Sequence, residues 1–318
     1  MIQRLNAARI LLFAVILVLM TACSTQNVQP PAEKTPAPST ETVTTPIKVV
    51  DGVGKEITFD KKPGRIVSLM PSNTEILFAL GVGDKVVGVT DVCDFPQEAT
   101  TKTKVSNSMT VNIEAIVALK PDVVFAYAMG NGDVVRNLEE LGLKVVTIKS
   151  AATIDDVYSD IELFAKITGT EEKGKEIVAG MKQKLEGIVN AASKVEKKKQ
   201  VYLEIAPNPD IWTAGSGTFQ DETLKLIGVE NTFSDVTGWS KVSEEAVIKR
   251  KPEVILTTVD YVQEPEKEIM TRKSWQGIPA VKNKNVFYVD SDLTTRPGPR
   301  IVDGIEVMFK AIYPDLAQ

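Results

Sequence analysis

Three observations predict an α/β fold of two similar lobes, each a mostly parallel sheet flanked by helices, joined by a long rigid helix. The segment NIEAIVALKPDVVFA at 112–126 returns without a gap as SEEAVIKRKPEVILT at 243–257. In both copies apolar residues at helical spacing lead to Lys-Pro, which stops a helix, and a continuous apolar run follows, as in a strand covered on both faces. A second echo, EILFALGV at 75–82 and ETLKLIGV at 222–229, places a glycine just past a helix end in each half. Between the halves, Ile177, Val178, Met181, Leu185, Ile188 and Val189 form one helical stripe.

In chain order, residues 1–22 carry Arg4 and Arg9 ahead of an uncharged apolar run and small residues, which reads as a secretory signal. The run is short for a membrane span. Its Leu-Met-Thr-Ala-Cys ending resembles the lipobox of bacterial lipoproteins, which implies that Cys23 is lipidated; the alternative is an ordinary cleaved signal with an incidental Cys23. Residues 23–46 are mostly Ser, Thr, Pro, Gln and Glu. Such a stretch buries too little to offset the entropy of ordering and reads as a disordered tether.

The N-terminal lobe is expected at 47–150. It opens with a hairpin at 47–59 around Asp51-Gly-Val-Gly and a first core strand at 65–69. Helix 75–80 follows, with Ser72 and Glu75 at capping-box spacing and Gly81 as its stop. Strand 86–90, helix 113–119, strand 123–127, helix 134–141 and strand 144–148 complete the lobe. Residues 151–198 hold a helix ending near Gly169 and a longer one whose solvated end is the lysine-rich run 194–199. About 25 helical residues at ~1.5 Å each span nearly 40 Å, a rod that limits hinge motion. The C-terminal lobe, 199–318, repeats the plan with strand 201–205, helix 221–227, the second repeat, strand 286–289, a loop at 290–300 and a last helix at 300–312.

The chain contains no histidine. That removes His-based triads and most zinc sites, and no paired-carboxylate motif replaces them, so catalysis is not expected. Asp290-Ser-Asp292 lacks the glycine and distal glutamate of a calcium loop, and Gly81-Val-Gly83 follows a helix instead of opening one, so neither a metal nor a dinucleotide is called for. A formal charge of −5 argues against nucleic acid. Of the 2 cysteines, only Cys93 belongs to the body, so no internal disulfide forms there; a buried, small apolar role is expected for it.

Ligands of open parallel sheets bind beyond the carboxyl ends of the strands. Tyr127 ends the strand of the first repeat, Trp212 follows strand 201–205 across Pro-Asn-Pro-Asp, and Trp239 lies in the approach to the second repeat. These aromatics either belong to the core or form a stacking pocket for a large, flat, partly apolar ligand. Asp292 and Arg296 form either an ion pair or an acceptor and a donor fork for that ligand. The repeats also set Glu114 opposite Glu245, one acidic knob per lobe.

The stretches 65–81 (RIVSLMPSNTEILFALG), 86–96 (VVGVTDVCDFP), 112–122 and 296–304 (RPGPRIVDG) together resemble the cobalamin-binding branch of the helical-backbone, class III substrate-binding proteins of ABC importers, whose relatives bind iron siderophores or haem. The resemblance covers the body from about residue 47 onward. It implies a cobalamin or other corrinoid cargo and no cofactor. The ligand contacts implied are Tyr127, Trp212, Trp239, Asp292 and Arg296, and the implied partner is a permease dimer, with its ATPase, met through Glu114 and Glu245. A chain anchored outside the cytoplasm through Cys23 and monomeric when free is the corresponding expectation. Val92 and Ser108 replace aromatics common in cobalamin binders, with Phe95 or Met109 as local substitutes. The absence of histidine favours cobalamin over haem, which takes an axial ligand. An iron-siderophore or haem carrier remains as an alternative, as do a lipoprotein enzyme or chelatase acting on a tetrapyrrole and a ligand sensor docking on a signalling receptor.

Overall fold

The computed structural model describes residues 46–107, 110–130 and 132–316; the signal, Cys23 and nearly all of the tether lie outside the described residues, as do Ser108 and Met109. The body opens with strands β1 (Ile47–Val50) and β2 (Glu56–Phe59), an antiparallel hairpin. Asp51 holds its turn by accepting the Val53 and Lys55 amides at 3.0 and 2.8 Å, and ties the hairpin down by accepting the Thr147 amide at 3.1 Å. The chain continues through β3 (Ile66–Ser68), α1 (Pro71–Ala79), β4 (Val86–Thr90), β5 (Thr103–Ser106), α2 (Ile113–Ala118), β6 (Val123–Tyr127), α3 (Gly132–Glu140) and β7 (Val145–Ile148). These strands form one parallel sheet in the order β5-β4-β3-β6-β7.

Helices α4 (Ile154–Thr168) and α5 (Glu171–Ala192) follow. The second half comprises β8 (Gln200–Glu204), β9 (Trp212–Ala214), α6 (Phe219–Leu226), β10 (Glu230–Asn231), β11 (Trp239–Lys241), α7 (Glu244–Arg250), β12 (Val254–Thr257), α8 (Pro265–Thr271), α9 (Pro279–Lys282), β13 (Val286–Tyr288), α10 (Ser291–Thr295) and α11 (Ile301–Ile312). Its parallel sheet runs β10-β8-β12-β13, the order of β4-β3-β6-β7 in the first half. The predicted fold class is thus borne out.

The repeat is the same piece of chemistry twice. Asn112 accepts the Ala115 amide at 2.9 Å and Ser243 the Ala246 amide at 3.2 Å, so each repeat helix starts from a side-chain cap. Each helix stops on a lysine in the left-handed region, Lys120 at φ 47 and Lys251 at φ 51, with proline next. The acid after that proline then clips the neighbouring strand. Asp122 accepts the Gly64 and Arg65 amides at 2.7 and 2.9 Å, and Glu253 accepts the Gln200 amide at 3.0 Å. Strand β12 is buried along its length, as is β6 up to Tyr127, which explains their lack of polar alternation.

Helix α4 belongs to the first sheet, its Phe164 ring stacked on Phe125 at 4.0 Å. Helix α5 reaches both halves. At Gly174 it comes so close to α4 that an added Cβ would lie 2.6 Å from the Ala165 Cβ, and further along Lys184 pairs with Asp303 and Glu306 of α11 at 2.6 Å each. The body from Thr44 to Gln318 forms a single compact unit.

Several expectations need correction. The long helix has 22 residues, about 33 Å at ~1.5 Å each, because Ser193 caps it before the lysine run. Lys199 is not a solvated helix end: its Nζ donates to the Ile312 carbonyl at 2.6 Å and lies over the Tyr313 ring. Ser72 is not a helix cap. Pro71 already occupies the first turn, which buries Ser72 and sends Glu75 elsewhere. The loop at 290–300 contains the short helix α10, started by Asp290 accepting the Asp292 and Leu293 amides. Cys93 is buried as expected, but its Sγ lies 3.2 Å from the Thr74 hydroxyl and 3.1 Å from that of Thr90, a more polar niche than foreseen.

Candidate ligand cleft between the lobes

The carboxyl ends of the two sheets face one another. The segment after β13 reaches the segment after β4 directly, since Arg296 contacts Asp94 at 2.7 Å and the Val92 carbonyl at 3.4 Å. On the N-terminal side the strand ends enclose a cavity of about 330 Å³, with Leu69, Thr90, Val92, Ser106 and Met129 among its lining residues. On the C-terminal side, β9 and β11 form an antiparallel ribbon in which Trp212 faces Lys241 and Trp239 faces Ala214. That register puts both tryptophans on one face as diagonal neighbours. Among the described residues, most of the large apolar side chains left exposed sit at these strand ends and the loops beyond them: Val92, Phe95, Met129, Trp212, Trp239, Tyr261 and Tyr288. Exposed rings are costly in water, so their concentration here marks a surface built for contact. A larger cavity of about 730 Å³ opens between α1 and the segment Phe95 to Lys102, on the flank of the bridge described next and away from the strand ends.

The two lobes are bridged by charge. Glu75, 3% exposed, accepts from Arg300 at 2.8 and 2.6 Å in a forked pair and from Arg296 at 3.3 Å. Arg296 also pairs with Asp292 at 2.6 Å, and Arg300 lies 3.7 Å from the centroid of the Phe95 ring. Burial pushes the Asp94 carboxyl up, but the hydrogen bond and charge of Arg296 outweigh it and hold the group below its ordinary value. For Asp292 the balance is reversed despite its contact with Arg296. Burial, aided by Asp94 and Asp290, lifts it above the usual carboxylate value. Behind the cleft, at the end of β8, Glu204 makes a forked pair with Arg272 at 2.6 and 2.9 Å; burial raises this carboxyl even so.

Among the predicted ligand residues, Trp212 and Trp239 are exposed, whereas Tyr127 is half-buried with its hydroxyl on Ser150. Asp292 is half-buried beside Arg296. Arg296 does not present an open donor fork, because three carboxylates fill it. Sequence reasoning missed Glu75, Asp94, Arg300, Tyr261 and Tyr288. The Arg-Pro-Gly-Pro-Arg spacing was a usable signal for the paired arginines; nothing local pointed to their acidic partners.

The repeat glutamates stand in the first turns of α2 and α7. Glu114 is exposed, with no hydrogen-bond or ion-pair partner among the described residues. Of the adjacent pair in the second repeat, Glu244 is engaged by Asn208 and Ser274, which leaves Glu245 exposed. Its own backbone amide and the Ser243 hydroxyl lower the Glu245 carboxyl and keep it ionised.

Two parallel α/β sheets with facing carboxyl ends, an aromatic rim and a spanning helix define a two-lobed binding protein. The chain belongs to the periplasmic binding protein family, whose model matches residues 66–293. It is similar to the uncharacterized ABC transporter substrate-binding lipoprotein YvrC of Bacillus subtilis (strain 168), 39% identical over 303 residues that make up 94% of each chain. The vitamin B12-binding protein of Salmonella typhimurium is 33% identical over 250 residues, 78% of this chain and 90% of that one. The crystal structure of a possible iron-binding (periplasmic solute-binding) protein from Staphylococcus epidermidis superposes with a TM-score of 0.71 at 37% identity, over 80% of this chain and 100% of that one. The resemblance read from the sequence is borne out at the level of the family.

Proposed function

We propose that this protein is the substrate-binding component of an ABC importer, anchored outside the cytoplasm by a lipid on Cys23, that holds cobalamin or a related corrinoid between its lobes. The observation that carries this reading is the concentration of exposed rings, Trp212, Trp239, Tyr261 and Tyr288, at one edge of the cleft, with a cavity of mixed lining, Val92 and Met129 beside Thr90 and Ser106, at the other. A wide, partly apolar macrocycle offers the flat area such rings bury, and its peripheral amides suit acceptors such as Asp292. The Salmonella vitamin B12-binding relative supports the corrinoid, and the Bacillus relative supports the lipoprotein and the transporter. Cargo is held without any bond being made or broken. The body, monomeric when free, then meets a permease and its ATPase through Glu114 and Glu245. An iron-loaded siderophore is the second reading, favoured by the Staphylococcus structure.

The test is titration of residues 44–318 with cobalamin, cobinamide, haemin and ferric siderophores, followed by tryptophan fluorescence and calorimetry. Both corrinoids are expected to bind, and Trp212→Ala and Trp239→Ala each to weaken them roughly fivefold to tenfold. Binding of haemin or a ferric siderophore with no response to either corrinoid would overturn the reading.

A further inference from the structure

Two arginines stand at the cleft, and both are occupied. Arg296 spends its donors on Asp94, Glu75, Asp292 and the Val92 carbonyl. Arg300 is forked onto Glu75 and lies over the Phe95 ring. The C-terminal edge adds Asp260 and Asp290, whose charges, with that of Asp292, reach the Tyr288 hydroxyl and raise it in concert with burial. Three carboxylates thus take up two guanidiniums, and two further acids stand on the same edge of the cleft. The lysines around them do not redress this: Lys102, over the Phe78 ring on the flank of the bridge, shares its cavity with Asp84 and Glu98. Lys241 is paired with Asp210, and Lys104 lines the neighbouring edge together with Asp91.

Resting on the corrinoid reading for its site but not for its chemistry, we infer that the cleft selects by charge. It accepts a cargo without net negative charge and rejects an anionic one of the same shape, with Glu75 and Asp94 as the specificity-determining residues because they occupy its arginines. An anionic group entering here has two options, and both are unfavourable. It either displaces Glu75 or Asp292 from a guanidinium, leaving that carboxylate unpaired in a buried or half-buried place, or lies unpaired beside the acids itself. A neutral amide meets neither penalty and can still donate to Asp292. This is discrimination by repulsion, added to whatever the rings contribute by attraction.

The experiment titrates residues 44–318 with matched probes: cobalamin against its monocarboxylate, in which one side-chain amide is hydrolysed, and a neutral ferric trihydroxamate against an anionic ferric tricatecholate. Within whichever scaffold binds, the neutral member is expected to bind about tenfold tighter. Asp94→Asn, at a side chain 55% exposed and so safe for folding, should shrink that ratio severalfold by freeing one arm of Arg296. If cobalamin and its monocarboxylate bind equally, the charge inference is wrong while the corrinoid reading stands. If only the neutral hydroxamate binds, the inference stands and the corrinoid reading falls. An anionic probe that binds as tightly as its neutral match, or failure of every neutral probe to bind, overturns the inference.

Discussion

Glu75 lies one turn into α1, buried against Arg300 and Arg296 from the far end of the chain. Its spacing from Ser72 is that of a capping box, and only the early start of the helix at Pro71 and the arrival of two arginines turn it into a bridge between lobes. Asp160 on α4 is a second residue whose role its neighbours decide. Burial first, and then the charge of Asp156, lift its carboxyl to about 7 against a smaller opposing effect of Lys149. A carboxyl whose folded value lies above its unfolded one holds its proton more tightly in the native state. Its stabilising contribution is therefore complete below about pH 4 and is lost as pH rises through about 7. Asp160→Asn removes that loss. Its melting temperature should exceed the parent's by roughly 2–4 °C at pH 8 and match it at pH 4; an equal difference at both pH values would refute the account.

Among the elements, the repeated unit was the most legible because all its instructions are local: a cap, an apolar stripe, Lys-Pro, an apolar run. Its caps are therefore expected to act independently. Asn112→Ala and Ser243→Ala should each cost about 1 kcal/mol in urea unfolding, and the double variant should cost their sum, the two sites lying in different lobes. A double variant no worse than either single would show that the caps are not separate contributors. Other elements escaped sequence reading because they are short. The ribbon of β9 and β11 has three residues per strand, too few for alternation to register. Strand β5 is four residues held at a sheet edge by β4. The end of α5 was misplaced because lysine is a good helix former, so propensity alone does not distinguish the last turn from the loop beyond it.

At the scale of the whole molecule, the docking role proposed for Glu114 and Glu245, one in the first turn of each repeat helix, is open to direct test. Glu114→Ala with Glu245→Ala should leave the cargo Kd unchanged yet lower permease-dependent uptake about tenfold or more, since charge pairs at such an interface govern both encounter and hold. Unchanged uptake would remove Glu114 and Glu245 from the interface.

Local sequence by itself determined the two-lobed α/β plan, the repeated helix and strand, the spanning helix and the glutamate on each lobe, because each is written in periodicity, caps and stops a few residues apart. Only the tertiary structure decided which charges meet. Arg296 and Arg300 find Glu75 from 221 and 225 residues away, a pairing that no local pattern encodes, since it depends on how the two sheets bring their carboxyl edges together.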